Sequence, residues 1–332
     1  MLSKKIGIDL GTSTVLVYVK GEGVVVNEPA LMATDGKGGR VLAIGRAATQ
    51  LVGRGGKART VRLIRDGNGV DYGVAGAMLQ HLIGRIVGRQ RIFRPDVMLS
   101  VGPMVTGVER RAVLEATMQA GAKTAYLIDK PMAAAIGAKV AVSSTDGIVV
   151  VNLGAGSTEM AVIVLGEIVA IQSIPIGGEA LDRAIEASIA ETRGAQLKPG
   201  DAERLKLEIG SAIIPANETS IELNGDGDLH HAPFRVSSRE VQAAIRAPLE
   251  AILAGLERLL AQVPEARRAA VNRNGLVLCG GGAQLPGMAE FLSARVGIPA
   301  RVAREPQSCV AVGTGMALDN MQVVRRGQHY IT

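Results

Sequence analysis

Apolar residues fall into two blocks of the same design. The first runs Ile6-Gly-Ile-Asp-Leu-Gly-Thr-Ser-Thr14, then Val15-Leu-Val-Tyr-Val19, Lys20-Gly21 and Val24-Val-Val26. The second runs Val149-Val-Val-Asn-Leu-Gly-Ala-Gly-Ser-Thr158, then Met160-Ala-Val-Ile-Val-Leu165, Gly166 and Ile168-Val-Ala-Ile171. Each predicts strand, Gly-rich turn, strand, turn, strand. Asp9 and Asn152 hold matching places, 152 − 9 = 143 residues apart. That period is too long for a solenoid and indicates one half-domain used twice.

Between the blocks, Val97–Val101 predicts a strand, and Gly107 to Gly121 a helix with one apolar face that ends on Gly. Another helix, Pro131 to Ala138, opens on a proline suited to a first helical turn. After the second block the pattern predicts helices from Leu181 to Thr192 and from Ala202 to Ala212. A short strand at Ser220–Leu223 follows, then a turn at Asn224-Gly-Asp-Gly-Asp228. Ser238 is expected to cap a helix from Arg239 to Leu260, kinked at Pro248. Gly275–Cys279 reads as a buried strand running into Gly280-Gly-Gly282. Cys309 to Met321 reads as a terminal helix that packs back on the first half.

Composition narrows the picture. With 332 residues the chain is long enough for about two domains. Tryptophan is absent and only three Phe and four Tyr are present, so the core must be built from Val, Ile, Leu, Ala and Met. The net charge of +6 favours anionic surfaces. The basic residues are dispersed, without the aromatic interleaving of a single-strand binder, so no nucleic acid is expected as a partner. Cys279 and Cys309, the only cysteines, make neither a disulfide framework nor a CxxC metal motif, and are expected as buried thiols of a cytoplasmic protein. Neither an apolar signal region nor an 18-residue uncharged apolar run is seen.

The candidate chemistry sits at the turns. Asp9-Leu-Gly-Thr-Ser-Thr14 is a strand ending in a hydroxyl-rich Gly turn, which suits a phosphate, and Asp9 is placed to hold a hydrated magnesium ion. One such turn alone is an ordinary hairpin loop. A second, Asn152-Leu-Gly-Ala-Gly-Ser-Thr158, changes that, because two facing hairpins can clamp one phosphate chain. Gly280-Gly-Gly282 lets backbone approach a flat ligand such as adenosine, though a plain strand-to-helix turn fits equally well. Glu203 and Lys206 lie one helical turn apart, on one face, placed for a ribose and base edge or simply as a solvated pair.

Together these segments resemble MreB, the bacterial cell-shape actins, within the superfamily of actin, heat-shock chaperones and sugar kinases. Further carriers of the resemblance are Val19-Lys-Gly-Glu-Gly-Val-Val-Val-Asn-Glu-Pro29, Arg65-Asp-Gly, Met78-Leu-Gln-His81, Val108-Glu-Arg-Arg111, Gln119-Ala-Gly-Ala122, Pro131-Met-Ala-Ala-Ala-Ile-Gly137, Ile176-Gly-Gly178, Glu208-Ile-Gly-Ser-Ala212 and Gly280-Gly-Gly-Ala283. It spans residues 5 to 320. It implies an α/β, actin-like, two-lobed fold built of duplicated ribonuclease-H-like half-domains, with ATP or ADP in the central cleft. The first lobe is expected over residues 1–143 plus 310–332, with a small subdomain near 33–65. The second is expected over 144–309, with a small subdomain near 181–250. By motif position Asp9, Gly11, Thr12, Ser13 and Thr14 would contact phosphate and magnesium. Gly154, Gly156, Ser157 and Thr158 would form the second phosphate loop. Glu203, Lys206, Gly280, Gly281 and Gly282 would hold the adenosine. Ile92-Phe93 matches a loop that inserts into membranes in the family. The implied partners are further copies of the chain in paired straight protofilaments, the anionic inner face of the cell membrane, and cell-wall or division machinery.

Two departures stand out. The family carries a Glu before the helix-opening proline, where it positions the attacking water; this chain has Lys130, preceded by Asp129. The family opens the second phosphate loop with Asp; this chain has Asn152. Ser157 stands where the family has Thr and keeps a hydroxyl. Binding without efficient hydrolysis, in a specialised paralogue, is the expectation. The rivals are a small-molecule kinase, for which no substrate-deprotonating acid can be assigned, a chaperone ATPase, which needs a long substrate-binding region after the nucleotide domain, and a non-polymerising adaptor of the same fold.

Overall fold

The computed structural model describes residues 3–35, 40–53, 59–62, 64–65, 69–70, 72–88, 94–223 and 233–319. The first block forms β1 (Lys5–Leu10), β2 (Thr14–Val19) and β3 (Gly23–Pro29). Then come β4 (Leu31–Thr34), β5 (Val41–Ile44), α1 (Arg46–Gly53), β6 (Arg59–Arg62), the two-residue strands β7 (Ile64–Arg65) and β8 (Gly69–Val70), α2 (Tyr72–Val87), β9 (Asp96–Val101), α3 (Gly107–Gln119), β10 (Thr124–Asp129) and α4 (Lys130–Gly137). The second block forms β11 (Ile148–Leu153), β12 (Thr158–Val164) and β13 (Glu167–Ile174). It is followed by α5 (Gly178–Arg193), α6 (Asp201–Ile209), β14 (Ser220–Leu223), β15 (Phe234–Ser237), α7 (Ser238–Ala261), α8 (Glu265–Asn274) and β16 (Leu276–Cys279). A 3-10 turn over Gly281–Gln284 leads to α9 (Met288–Val296), β17 (Ala300–Val302) and α10 (Cys309–Ala317).

The duplication read from the sequence is a duplication of topology. One sheet runs β3-β2-β1-β9-β10 and the other β13-β12-β11-β16-β17. In each, three antiparallel strands are extended by two parallel ones. Even the irregularity recurs, with a register shift at Val17/Tyr18 in the first copy and at Val162/Ile163 in the second. The central strands β11 and β12 are buried at every position, as strands covered on both faces should be. A separate three-stranded sheet, β5-β4-β6, contributes Met32 to the first core, and the ribbon β14-β15 contributes Leu223 and Val236 to the second.

Among the described residues the buried apolar side chains are Val, Ile, Leu, Ala, Met and the two cysteines, with no aromatic, as the composition requires. Cys279 and Cys309 are buried and free. Three buried clusters divide the core: one against each sheet, and a third in which α4 and α10 meet β16. At that third cluster α10 crosses α4 almost without side chains. A Cβ on Gly137 would run into the Cys309 carbonyl, and one on Gly313 into the Ala133 carbonyl. The terminal helix does pack back on the first half: α10 also lies on β1, where Gly7 and Gly315 are in backbone contact.

Two local expectations shift. The long helix is capped by Ser237, one residue earlier than expected. Its hydroxyl accepts from the Glu240 amide while Glu240 reaches back to the Ser237 amide, a full capping box. Pro248 is accommodated inside that helix. The expected turn at Asn224–Asp228 and the Ile92-Phe93 pair lie outside the described residues.

Candidate functional site

The two Gly-rich hairpins are built alike. In the first the Gly11 amide donates to the Thr14 carbonyl at 3.0 Å; in the second the Gly154 amide donates to the Ser157 carbonyl at 2.9 Å. Both hairpins open on one cleft of about 410 Å³, within the usual range for a small-molecule site. Of the residues singled out from the sequence, Asp9, Gly11, Thr12, Ser13, Thr14, Lys130, Asn152, Gly154, Ser157, Glu203, Lys206, Gly280, Gly281 and Gly282 line it.

Gly156 and Thr158, expected with them in the second phosphate loop, are not among the residues that line the cleft. Gly156 packs against the Thr12 side chain, where an added Cβ would sit 2.6 Å from Oγ1. Its lack of a side chain is what lets the two hairpins touch. Thr158 is fully buried and its hydroxyl donates to the Ile176 carbonyl at 2.7 Å.

Lys130 opens α4 and reaches back across the sheet. Its Nζ donates to the Leu10 carbonyl at 3.3 Å and lies 3.7 Å from Asp9 Oδ1. Asp9 pairs in register with Ser100 of the parallel neighbour β9, whose hydroxyl donates to the same Oδ1 at 2.6 Å. Burial works to lower the Lys130 pKa, but the charges of Asp9 and Glu159 and the Asp9 bond outweigh it and hold it above the ordinary lysine value. The group is therefore an ammonium. The neighbouring Asp129 is not a substitute for the missing acid, because Arg110 Nη2 holds its carboxylate at 2.6 Å.

Glu159 escaped the sequence reading. It pairs directly with Asn152 across β11 and β12, as Leu16 pairs with Asp9 across β1 and β2. The second hairpin thus holds a carboxylate on the strand that faces Asn152. Glu159 is almost wholly buried, accepting from Asn152 Nδ2 at 2.9 Å and from Ser157 Oγ at 2.6 Å. A lone carboxylate in the otherwise apolar run Thr158–Val164 was the signal that marked it.

The far wall is α6 against α5. Lys206 Nζ lies 2.7 and 2.8 Å from the two carboxylate oxygens of Asp182 and donates to the Gly178 carbonyl at 3.2 Å. Burial pushes the Asp182 carboxyl up against the pull of Lys206, with the charges of Glu203 and Glu186 adding to the rise. Lys206 is thus a fixed post as well as a lining residue, and Asp182 is its anchor. Gln284, Pro286 and Gln307 complete this end of the cleft beside Gly280 to Gly282.

Asp9 is the residue on this floor that would hold a hydrated magnesium ion, through its second carboxylate oxygen. The waters of such an ion need carboxylate oxygens free to accept. Here Ser100 and Lys130 both meet Asp9 Oδ1, whereas both oxygens of Glu159 accept, from Asn152 and Ser157.

The comparisons with known proteins agree with one another. The family model for MreB/Mbl protein matches residues 3–326. The cell shape-determining protein MreB of Pasteurella multocida is 40% identical over 330 residues, covering 96% of this chain and 94% of that protein. The structure of MreB5 of Spiroplasma citri bound to ADP superimposes with a TM-score of 0.89 at 29% identity, over 98% of each chain, and its AMPPNP-bound form with the same score. The MamK double helical filament has a TM-score of 0.81 at 18% identity, covering 96% of this chain and 99% of that one, and shows the fold alone. The fold is the actin fold.

Proposed function

We propose a function from one premise: the chain belongs to the MreB/Mbl family. It is an actin homologue, and its function is that of an ATP- or ADP-binding cytoskeletal protein that assembles with copies of itself and acts in cell shape or in the placing of a partner such as cell-wall or division machinery. The observation that carries this reading is the pair of like-built hairpins, Gly11–Thr14 and Gly154–Ser157, opening on one cleft. Support comes from MreB5, solved with ADP and with AMPPNP. The filament expected here is a pair of straight protofilaments.

Hydrolysis is slow. A water attacking a γ-phosphate needs an acceptor to orient it, and an ammonium has none. Lys130 takes the place of that acceptor, and the Glu159 carboxylate is already held by two donors. Membrane attachment is peripheral, at the cytoplasmic face, through Ile92 and Phe93; among the described residues no helix is long and apolar enough to cross a membrane.

The test is sedimentation with electron microscopy, with and without ATP and anionic liposomes. Straight paired filaments and co-sedimentation with lipid that Ile92→Ser with Phe93→Ser removes are expected. Monomer alone across nucleotides, with and without lipid, overturns the reading.

A further inference from the structure

The two hairpins of the cleft are braced differently. In the first, the Ser13 carbonyl accepts from the Ala30 amide, just after β3 of the same sheet, at 2.8 Å. The second leans on a separate segment, the Ile176-Gly-Gly178 turn and the start of α5. The Gly178 amide donates to the Gly154 carbonyl at 3.0 Å, and the Glu179 amide to the Ala155 carbonyl at 2.8 Å. The Thr158 hydroxyl adds its bond to the Ile176 carbonyl at 2.7 Å. The approach is so close that a Cβ on Gly177 would fall 2.5 Å from the Gly154 carbonyl oxygen. Whatever fixes this turn therefore fixes the hairpin.

Lys206 fixes it. The ammonium donates to the Gly178 carbonyl at 3.2 Å and to Asp182 Oδ2 at 2.8 Å, with Asp182 Oδ1 at 2.7 Å. Gly178 and Asp182 are four residues apart, on one face of α5, so a single cation pins the first turn of that helix to α6. Its charge is matched by the Asp182 carboxylate, and two of its three donors are spent inside the protein, which leaves one at most for a ligand. Lys206 and Gly178 line the cleft; Asp182 is not among the lining residues. Resting on the nucleotide-binding reading above, we propose that Lys206, expected from the sequence at the adenosine, is a positioning residue for the phosphates: with Asp182 it locks the 176–179 turn, and the turn holds the Gly154–Ser157 hairpin in the shape that receives the phosphate chain.

Two variants of the full chain test this. Lys206→Met keeps the methylene stem and removes the ammonium, and Asp182→Asn keeps the shape and removes the anchoring charge. Without ligand, amide hydrogen exchange is expected to quicken in both over 154–158 and 176–179, and to stay as in the parent over 9–14 of the first hairpin. ATP affinity, read by calorimetry, is expected to fall about tenfold or more in both, the size usual for removing the partner that orients a ligand-holding group, while adenosine, read by competition with ATP, stays within about twofold of the parent. An equal loss for adenosine and ATP overturns the proposal, because it puts the ammonium on the sugar or base. Unchanged exchange over 154–158 in both variants overturns it too, and decides the matter should adenosine bind the parent too weakly to compete. Circular dichroism melts establish that each variant is folded; should one fail, the other carries the comparison. Absence of ATP binding by the unmodified chain removes the nucleotide reading itself and this proposal with it.

Discussion

Replacing Lys130 by Glu should turn a binding site into a hydrolytic one, at a cost in stability that the structure allows to be sized. The ammonium sits 3.7 Å from Asp9 Oδ1. At an effective dielectric of about 20, two unit charges that close interact by about 4 kcal/mol. Desolvation and relaxation bring the net cost of breaking a buried pair to about 3 kcal/mol, and a carboxylate in its place adds repulsion from Asp9 and Glu159. Without nucleotide or metal, Lys130→Glu should melt on the order of 5–10 °C below the parent. With ATP and magnesium the same acid becomes an acceptor for the attacking water, and such a group contributes about 10²-fold or more to rate. Adding Asn152→Asp places a second carboxylate opposite Glu159 and should raise the rate further, since that pair then needs a metal ion to sit between its charges. The assay is phosphate release from ATP by the parent, Lys130→Glu, and Lys130→Glu with Asn152→Asp, each normalised to folded protein. A parent already as fast as the double variant would refute the reasoning.

Asp319, just after α10, is tied to the first sheet, bonding Lys5 at 2.8 Å and Lys20 at 2.7 Å. Burial raises its pKa, but those two lysines outweigh it and hold the carboxyl below the ordinary aspartate value. The contribution is therefore present above that ordinary value and fades as pH falls through the depressed one. Asp319→Asn should cost about 1 kcal/mol or less near neutrality, given solvent screening, and nothing in strong acid; denaturant melts at the two pH values check it, and an equal loss at both would contradict the ion-pair account. At the helix crossing, Gly313→Ala drives a methyl into the Ala133 carbonyl and should cost about 3 kcal/mol or abolish soluble expression. Gly107→Ala, which meets nothing within 4 Å, is the neutral control for the same melts.

What the sequence reveals and what it hides divide along physical lines. Both blocks of three strands were legible because β-branched runs and Gly turns are local signals, and their 143-residue register carried the topology with it. The lining residues were legible wherever the turn itself makes the site, as at Gly11–Thr14. Long-range partners were not. Nothing local says that Asp182 anchors Lys206 or that Arg110 takes Asp129. Glu159 and the Ser237 cap are different, since their signals were present. A carboxylate in an apolar strand and a Ser three residues before Glu240 are both readable, and weight given to neighbouring residues hid them. At Gly156 the absent side chain makes room for Thr12 of the opposite hairpin, a long-range contact that no local signal shows.

The crossing of α10 over α4 has a mechanical meaning. Contacts made by side chains can slip, because rotamers exchange and one helix ratchets past another. Where backbone lies directly on backbone, at Gly137 and Gly313, there is nothing to exchange. The joint behaves as an axle, able to turn a little as a rigid piece and unable to glide. α10 follows β17 of the second sheet and is seated on β1 of the first, so the joint ties the two halves together. A side chain added to either helix at that joint would have to push the two halves apart.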